Sequence, residues 1–312
     1  MTQIATSSDI RGVWASILNR IDVDGALDLN AIDEQLTAYV KAGVSGVYSG
    51  GTASEFHCQT ETEFQEISSR FATAAENHNL PFQIGAAHPL PQGGLDRITF
   101  AASLSPLAIQ VTLPDWTPLD YASVCHFIDR ATLAAAGVPL VLYNPPHAKT
   151  VLTPIQLKDL IKRYSSIIGL KCGGGDKLWY AAMATVLARI SVFIPGHFYT
   201  SGVAQGAHGS YSNMACLSPS ATVAWAQSND AEAQDIEQRI ASFMDEAIAP
   251  LLSRGLPGFV CDKAMATAGG WAKMNPQMMW PYEGATPDEI ALIISAARRH
   301  IPEFTNTIPT DI

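Results

Sequence analysis

Short apolar segments with β-strand character alternate with amphipathic segments along the chain, and no other feature constrains the fold as strongly. The predicted strands cover residues 13–18, 44–49, 81–86, 107–113, 139–143, 167–171, 192–195 and 210–214. Predicted helices lie between them at residues 29–42, 60–77, from 95, 119–136 and from 153. Thr60 with Glu63 forms a capping-box signature, and Pro154 suits a first helical turn. Eight strands in βα alternation without an internal linker predict a closed parallel (β/α)8 TIM barrel.

The region after the eighth strand predicts more helices than a barrel needs. Residues 231–253, 257–269 and 286–300 each have a helical pattern. We therefore expect a catalytic barrel over residues 1–225 and a C-terminal helical extension over 226–312, packed together as one structural domain. A doubly wound open sheet is the alternative, but it would usually carry a glycine-rich turn after its first strand. Residues 19–22 read Asn-Arg-Ile-Asp, without a glycine.

Composition excludes several classes of function. The net charge of −10 disfavours a nucleic-acid surface, which needs basic residues to neutralise phosphates. No apolar run approaches the roughly 20 residues that span a bilayer, and residues 1–9 lack a signal-peptide pattern. The five cysteines show neither CxxC spacing nor a Cys/His cluster, which predicts free thiols. A cytoplasmic location without nucleic-acid or membrane partners is expected.

Lys171 interrupts an apolar run and stands at the end of the sixth predicted strand. Burial disfavours the charged form of a lysine and lowers its pKa, and a neutral amine is a nucleophile that can form an imine with a carbonyl compound. A lysine at a strand end can also extend its ammonium group to solvent along the aliphatic stem. The residues at neighbouring strand ends are needed to separate these two interpretations.

The carboxyl ends of barrel strands are where chemistry takes place in this fold. Strand two runs into the turn GGTASE at residues 50–55, strand five ends at Tyr143 followed by Asn-Pro-Pro, and strand six ends at Lys171. Turn amides can hold a carboxylate, a phenol can move protons, and a lysine can form an imine. Singly these features also suit a tight turn, a core tyrosine and a solvated lysine. Together they favour an enzyme that handles a 2-oxo acid.

These motifs resemble the pyruvate-dependent Schiff-base lyases that include dihydrodipicolinate synthase and N-acetylneuraminate lyase. The resemblance runs from about Gly12 into the C-terminal helices and rests on residues 50–55, 143–146, 168–171 (IGLK) and 209–212 (GSYS). It implies a (β/α)8 barrel with a C-terminal helical extension, usually a homotetramer. It also implies a covalent imine between Lys171 and pyruvate or a related 2-oxo acid, with no other cofactor and no metal.

The resemblance extends to individual positions. Tyr143 would relay protons during imine formation and during the making or breaking of a carbon–carbon bond. Gly51, Thr52 and Ala53 would bind substrate, the amides of the last two holding the carboxylate. Tyr211 lies where a backbone carbonyl faces the site in the family.

The chain departs from the family pattern at several positions. The usual turn reads Gly-Thr-Thr-Gly-Glu or Gly-Ser-Thr-Gly-Glu, whereas this chain has Ala53 and Ser54 at its third and fourth positions. Residues 111–116 lack the second tyrosine that the synthases use. Where they place an arginine after the proton-relay tyrosine, residues 147–149 read His-Ala-Lys. Lysine cannot reproduce a bidentate guanidinium contact, so the synthase reaction is disfavoured.

We expect the second-substrate pocket to involve Trp116, His147, Lys149 and the glycine loop at residues 173–175. A tryptophan and a histidine favour a sugar acid or an aromatic partner over aspartate semialdehyde. The sequence therefore predicts a lyase, either aldolase or dehydratase, that acts on pyruvate, a 2-oxo acid or a 2-keto-3-deoxy sugar acid. The alternative activity within the family is dihydrodipicolinate synthase. The homo-oligomer is expected to be a tetramer or a dimer.

Three readings from other classes stay open at the level of sequence. A metal-dependent hydrolase could use His88, His147, His197 and His208, but the first strand lacks the His-x-His pair typical of such barrels. A phosphate-binding barrel could use the glycines at 173–175 as an anion nest. A non-catalytic 2-oxo-acid binding protein could retain the fold with an altered turn.

Overall fold

The computed structural model describes residues 5–22 and 24–308 and forms the predicted barrel. Eight parallel strands close in sequence order, and the last pairs with the first. The strands are β1 Gly12–Ser16, β2 Gly46–Ser49, β3 Phe82–Gly85, β4 Ala108–Thr112, β5 Leu140–Asn144, β6 Ile167–Cys172, β7 Ser191–Pro195 and β8 Gly209–Tyr211. The TIM-barrel prediction is confirmed.

Helices alternate with the strands and then continue into the C-terminal extension. The barrel carries α1 Asn30–Ala42, α2 Glu61–Asn77, α3 Pro91–Ser103, α4 Tyr121–Ala134, α5 Pro154–Arg163, α6 Lys177–Leu187, α7 Tyr199–Ala204, α8 Met214–Leu217 and α9 Pro219–Gln227. The extension carries α10 Asp230–Phe243, α11 Ala249–Ser253, α12 Gly258–Gly269 and α13 Pro287–His300. A capping box begins α2 at Thr60, as the sequence pattern predicts, and α5 begins at Pro154, where proline is expected in the first turn, with a second capping box at Thr153.

The structure moves two predicted boundaries by three or more residues and interrupts one predicted helix. The third helix begins at Pro91 rather than near 95, since proline suits its first turn. The eighth strand ends at Tyr211 rather than 214, because the chain turns and the Ser212 hydroxyl accepts a hydrogen bond from the Ala215 N–H. The long helix predicted over 231–253 contains a π-helical turn at Met244–Ile248. Pro250 follows this turn and has no N–H to donate, which interrupts regular α-helical bonding.

Apolar packing divides the molecule into a barrel interior, a barrel wall and an extension core. The interior is filled by large side chains that include Trp14, Tyr48, Phe193 and Tyr211. A larger cluster joins the outer faces of the strands to α1–α6, and a separate cluster joins α10–α13 to α8 and α9. The extension cluster includes Ala53, so it reaches the turn after β2. Within the described part of the chain, no helix has the length and apolar character that a bilayer span requires.

Candidate active site

Lys171 lies near the carboxyl end of β6, where it is in register with Tyr143 of β5 and Phe193 of β7. Its Nζ atom lies 4.2 Å from the centroid of the Tyr143 ring, 4.9 Å from that of Tyr48 and 5.1 Å from that of Tyr211. The Tyr48 and Tyr211 rings in turn meet edge to face, with centroids 4.7 Å apart. The amine is therefore enclosed by three aromatic rings, and its accessible surface faces a cavity at the mouth of the barrel.

This enclosure changes the protonation of Lys171. Burial lowers the pKa of the lysine to about 8, although the negative charge of Asp262 acts in the opposite direction. Cation–π contacts also favour the ammonium form, but loss of hydration is the larger effect. Near neutral pH a substantial fraction of this amine is neutral, as a nucleophile requires.

Tyr143 provides a hydroxyl group beside the amine. Its phenol oxygen lies 3.2 Å from Oγ1 of Thr52, which is hydrogen-bonding distance. Burial raises the pKa of Tyr143, and the bond to Thr52 lowers it by less. The phenol is consequently protonated at neutral pH, so it can donate a proton to a nearby oxygen and recover one through Thr52.

The turn after β2 brings its backbone close to the site. Gly50 has φ of 63°, and a Cβ atom at this position would lie 2.1 Å from the carbonyl oxygen of Gly85, so only glycine fits. Gly51 then caps a short 3-10 helix, Thr52–Ser54. The first N–H groups of a helix have no acceptor within it, which leaves the amides of Thr52 and Ala53 available to a ligand. Both residues line the cavity that contains Lys171.

Asp262, on α12 of the extension, faces the same cavity and was not anticipated from the sequence. Burial raises the pKa of this carboxyl to about 7, while Lys171 acts to lower it. Its charge also raises the pKa of Tyr48, Tyr143 and Cys216. Of the residues described, none donates a hydrogen bond to the carboxylate. The signal in the sequence was a pair of charged residues, 262 and 263, inside an otherwise apolar helix.

The second of these charged residues, Lys263, anchors α12 to the barrel. Its Nζ donates to Oε1 of Glu55 at 2.9 Å, and both side chains are fully buried. The other oxygen of Glu55 accepts a hydrogen bond from the Met279 N–H at 2.7 Å. Burial lowers the pKa of Lys263, and Glu55 opposes that change. The ion pair thus ties the extension to the turn that carries Thr52 and Ala53.

The cavity has a volume of about 310 Å³ and walls of two kinds. The barrel side presents Lys171, Tyr143, Thr52 and Tyr211. The extension side is apolar apart from Asp262, and it consists of Met244, Ile248, Leu252, Cys261 and Met265. Of the described residues, no arginine lines this cavity.

The structure brings some of the predicted site residues together and separates others. Lys171, Tyr143, Thr52, Ala53 and Tyr211 share the cavity, with Gly51 buried just behind it. His147 lines a smaller neighbouring pocket of about 60 Å³, which Thr52 and Tyr143 also border. Neither pocket is lined by Trp116 or Lys149: the Trp116 side chain is 83% exposed, and the Lys149 N–H donates to Asp115 at the surface.

The histidines of the metal-hydrolase interpretation and the glycines of the phosphate-binding interpretation lie in different places. His197 borders the Lys171 cavity beside Asn213, while His88 lies near Glu61 and the ring of His208 contacts the Val192 N–H. No cluster of three metal-binding side chains occurs in residues 5–22 and 24–308. Gly173 lines the Lys171 cavity, and all three glycines of that loop line an adjacent cavity.

Sequence comparisons relate the chain to enzymes. The Dihydrodipicolinate synthetase family matches residues 9–257. A 4-hydroxy-tetrahydrodipicolinate synthase from Exiguobacterium sp. is 26% identical over 226 residues, which are 69% of this chain and 74% of that protein. An N-acetylneuraminate lyase from Enterobacter sp. is 23% identical over 260 residues, which are 80% of this chain and 86% of that protein.

Solved structures agree in fold. YagE from E. coli K12, a prophage protein of the dihydrodipicolinic acid synthase family in complex with pyruvate, superposes with a TM-score of 0.82 at 19% identity, covering 93% of this chain and 98% of that one. A catalytic lysine mutant of Ruminococcus gnavus sialic acid aldolase superposes with a TM-score of 0.83 at 17% identity, covering 97% of this chain and 100% of that one. Enzymes of the matched family use a lysine Schiff base with pyruvate and need no metal cofactor. The chain belongs to the dihydrodipicolinate synthetase family and is a pyruvate-dependent lyase of the class I aldolase type.

Proposed function

We propose that Lys171 forms an imine with pyruvate or another 2-oxo acid, and that the enzyme cleaves or forms a carbon–carbon bond to that acid. The observation that carries this proposal is the position of the Lys171 amine, which lies among three tyrosine rings at the end of β6 and has its pKa lowered to about 8 by burial. A buried amine that is partly neutral at physiological pH is suited to attack a carbonyl carbon.

The first half of the reaction follows from the groups around Lys171. The neutral amine adds to the C2 carbonyl of the 2-oxo acid, and the resulting carbinolamine loses its hydroxyl group as water. Tyr143 donates the proton that this departure needs and becomes a phenolate, which the hydroxyl of Thr52, 3.2 Å away, stabilises by a hydrogen bond. The cationic imine then withdraws electrons from the C3–C4 bond.

The second half depends on the direction of the reaction. In cleavage of a 4-hydroxy-2-oxo acid, the 4-hydroxyl group gives its proton to the Tyr143 phenolate, the C3–C4 bond breaks, and an aldehyde leaves. Its bonding electrons pass into an enamine on Lys171. Protonation of the enamine at C3 and addition of water then release pyruvate and the free amine. Condensation is the reverse sequence.

The free amides of Thr52 and Ala53 support binding of the substrate carboxylate, because both residues line the cavity close to Tyr143. Within the family, cleavage of a 4-hydroxy-2-oxo acid, a class that includes the 2-keto-3-deoxy sugar acids, is our preferred reaction. Dihydrodipicolinate synthesis is the alternative, but it is less well supported because no described arginine lines the cavity to hold a second carboxylate. We infer a homo-oligomer from the family resemblance alone, and a cytoplasmic location stays the expectation drawn from the sequence.

Reductive trapping tests the proposal. Borohydride added with pyruvate should leave a reduced adduct on the peptide that contains Lys171, and Lys171→Ala should abolish it. Lys149→Ala is the matched control, since Lys149 is exposed and lies outside the cavity. Release of pyruvate from a panel of 2-keto-3-deoxy sugar acids, run beside pyruvate with aspartate semialdehyde, identifies the reaction. An adduct on another lysine, or none with any 2-oxo acid, would overturn the mechanism.

A further inference from the structure

We propose that Asp262 is a specificity-determining residue, which excludes aldehydes that carry a carboxylate and leaves an uncharged aldehyde with an apolar body as the second reactant. The proposal rests on the imine chemistry above and concerns the other half of the same cavity. It starts from an unusual group: a carboxylate in the cavity wall for which the described residues provide no hydrogen-bond donor.

Asp262 is half-buried, and a carboxylate in a cavity wall without a protein donor depends on solvent, a ligand or a nearby charge for compensation. Lys171 is the basic group that lowers the pKa of Asp262. Its amine becomes part of the imine when the 2-oxo acid binds. The cationic imine keeps one positive charge in the cavity, which the carboxylates of Asp262 and of bound pyruvate already face. A third carboxylate, on the aldehyde, would meet Asp262 without a further cation among the described residues, because burial lowers the pKa of His197, the other basic side chain that lines the cavity.

The remaining walls on this side favour the same class of reactant. Met244, Ile248, Leu252 and Met265 present apolar surface, and no described arginine enters the cavity. Burial of an apolar body against these side chains is favourable, whereas burial of an unpaired charge is costly. Selection therefore combines an attractive wall with a repulsive group, as specific sites commonly do.

The test compares benzaldehyde with 4-carboxybenzaldehyde, which differ by one carboxylate, as partners for pyruvate at pH 8. Burial raises the pKa of Asp262 to about 7, so most of the carboxyl is ionised at this pH. The measured quantity is the ratio of kcat/KM for the two aldehydes within one enzyme. Effects of a variant on imine formation, and the different intrinsic reactivities of the aldehydes, cancel when these ratios are compared.

Asp262→Asn should reduce the preference for benzaldehyde by about 10-fold or more, because it removes a like charge at short range. Asp245→Asn is the matched control: it removes the same charge from the extension at an exposed position outside the cavity, and should change the ratio by less than about twofold. Equal ratios in wild type and Asp262→Asn, or equal changes in both variants, would overturn the proposal.

Two further measurements separate this proposal from the imine mechanism. Borohydride trapping of pyruvate reports the first half-reaction, and it should persist in Asp262→Asn. If wild type traps no 2-oxo acid, both proposals fall. If trapping succeeds but condensation is too slow to follow, a second assay takes the place of the condensation assay. It measures exchange of the C3 protons of saturating pyruvate in D2O. Inhibition of that exchange by benzyl alcohol and by 4-(hydroxymethyl)benzoate should then show the same change of preference, and an unchanged preference refutes the role of Asp262.

Discussion

The ionisation of Lys171 gives the sharpest prediction about this site. Burial lowers the pKa of the amine to about 8 from an ordinary value of 10.5. At pH 7.5 this raises the neutral fraction from about 0.1% to about 24%, roughly a 200-fold gain in nucleophile. We therefore expect the reactivity of Lys171 to rise with pH and to reach half of its maximum near pH 8.

Competitive labelling measures this midpoint directly. The free enzyme is treated briefly with acetic anhydride between pH 6 and 11, and acetylation of the Lys171 peptide is quantified by mass spectrometry. Acetylation of the exposed Lys149 in the same samples corrects for reagent decay. A midpoint near 10.5 would show that Lys171 is solvated like an ordinary surface lysine, and it would refute the argument from burial.

The Asp262→Asn variant tests, in the same assay, the direction in which Asp262 shifts the pKa of Lys171. The Asp262 carboxylate stabilises the ammonium form and raises the pKa of Lys171 against the effect of burial. Asparagine removes that charge but keeps the shape of the side chain, so the Lys171 midpoint should move to lower pH than in wild type. A midpoint that moves to higher pH would contradict the placement of these two groups in one cavity.

Two other predictions concern the phenol and the buried ion pair. Tyr143→Phe should lower turnover by about 10²–10⁴ with little change in melting temperature, whereas normal turnover with a lowered melting temperature would indicate a packing role. Glu55→Gln should lower the free energy of unfolding in denaturant by about 3–5 kcal/mol, because it leaves Lys263 buried without its partner. Adding Lys263→Met should recover part of this loss. Glu289→Gln breaks an ion pair with the partly exposed Arg254 and should cost less than about 1 kcal/mol; similar costs at the two sites would contradict the argument.

The fold and the closeness of Tyr143 to Lys171 follow from sequence because both depend on local pattern. Alternating strands and helices specify a parallel barrel, and in such a barrel all strands end at the same face. Tyr143 and Lys171 end consecutive strands, so the topology alone brings them together, and β5 and β6 hold them in register. Tyr48 was within reach of the same reasoning, since alternation along β2 places it inside the barrel.

Residues on loops and on the extension could not be placed in this way. Trp116 and Lys149 follow the ends of β4 and β5, but the paths of their loops are not encoded in a periodic pattern, and neither reaches the cavity. Asp262 is the reverse case, because it lines the cavity although the sequence did not predict it. It is distant in sequence from every barrel strand, and only the docking of α12 brings it to the site.

That docking is specified by the residue next to it. Successive residues on a helix differ by about 100° around its axis, so Lys263 and Asp262 can face different surroundings from one turn of α12. Lys263 pairs with Glu55, which ends the turn that carries Thr52 and Ala53, and Asp262 faces the cavity that these two residues line. A displacement of α12 would break a buried ion pair, which is costly, and would also move Asp262 relative to the amides of Thr52 and Ala53. The extension and the barrel therefore line one cavity, in which we propose that the first reactant contacts the barrel strands and the extension selects the second.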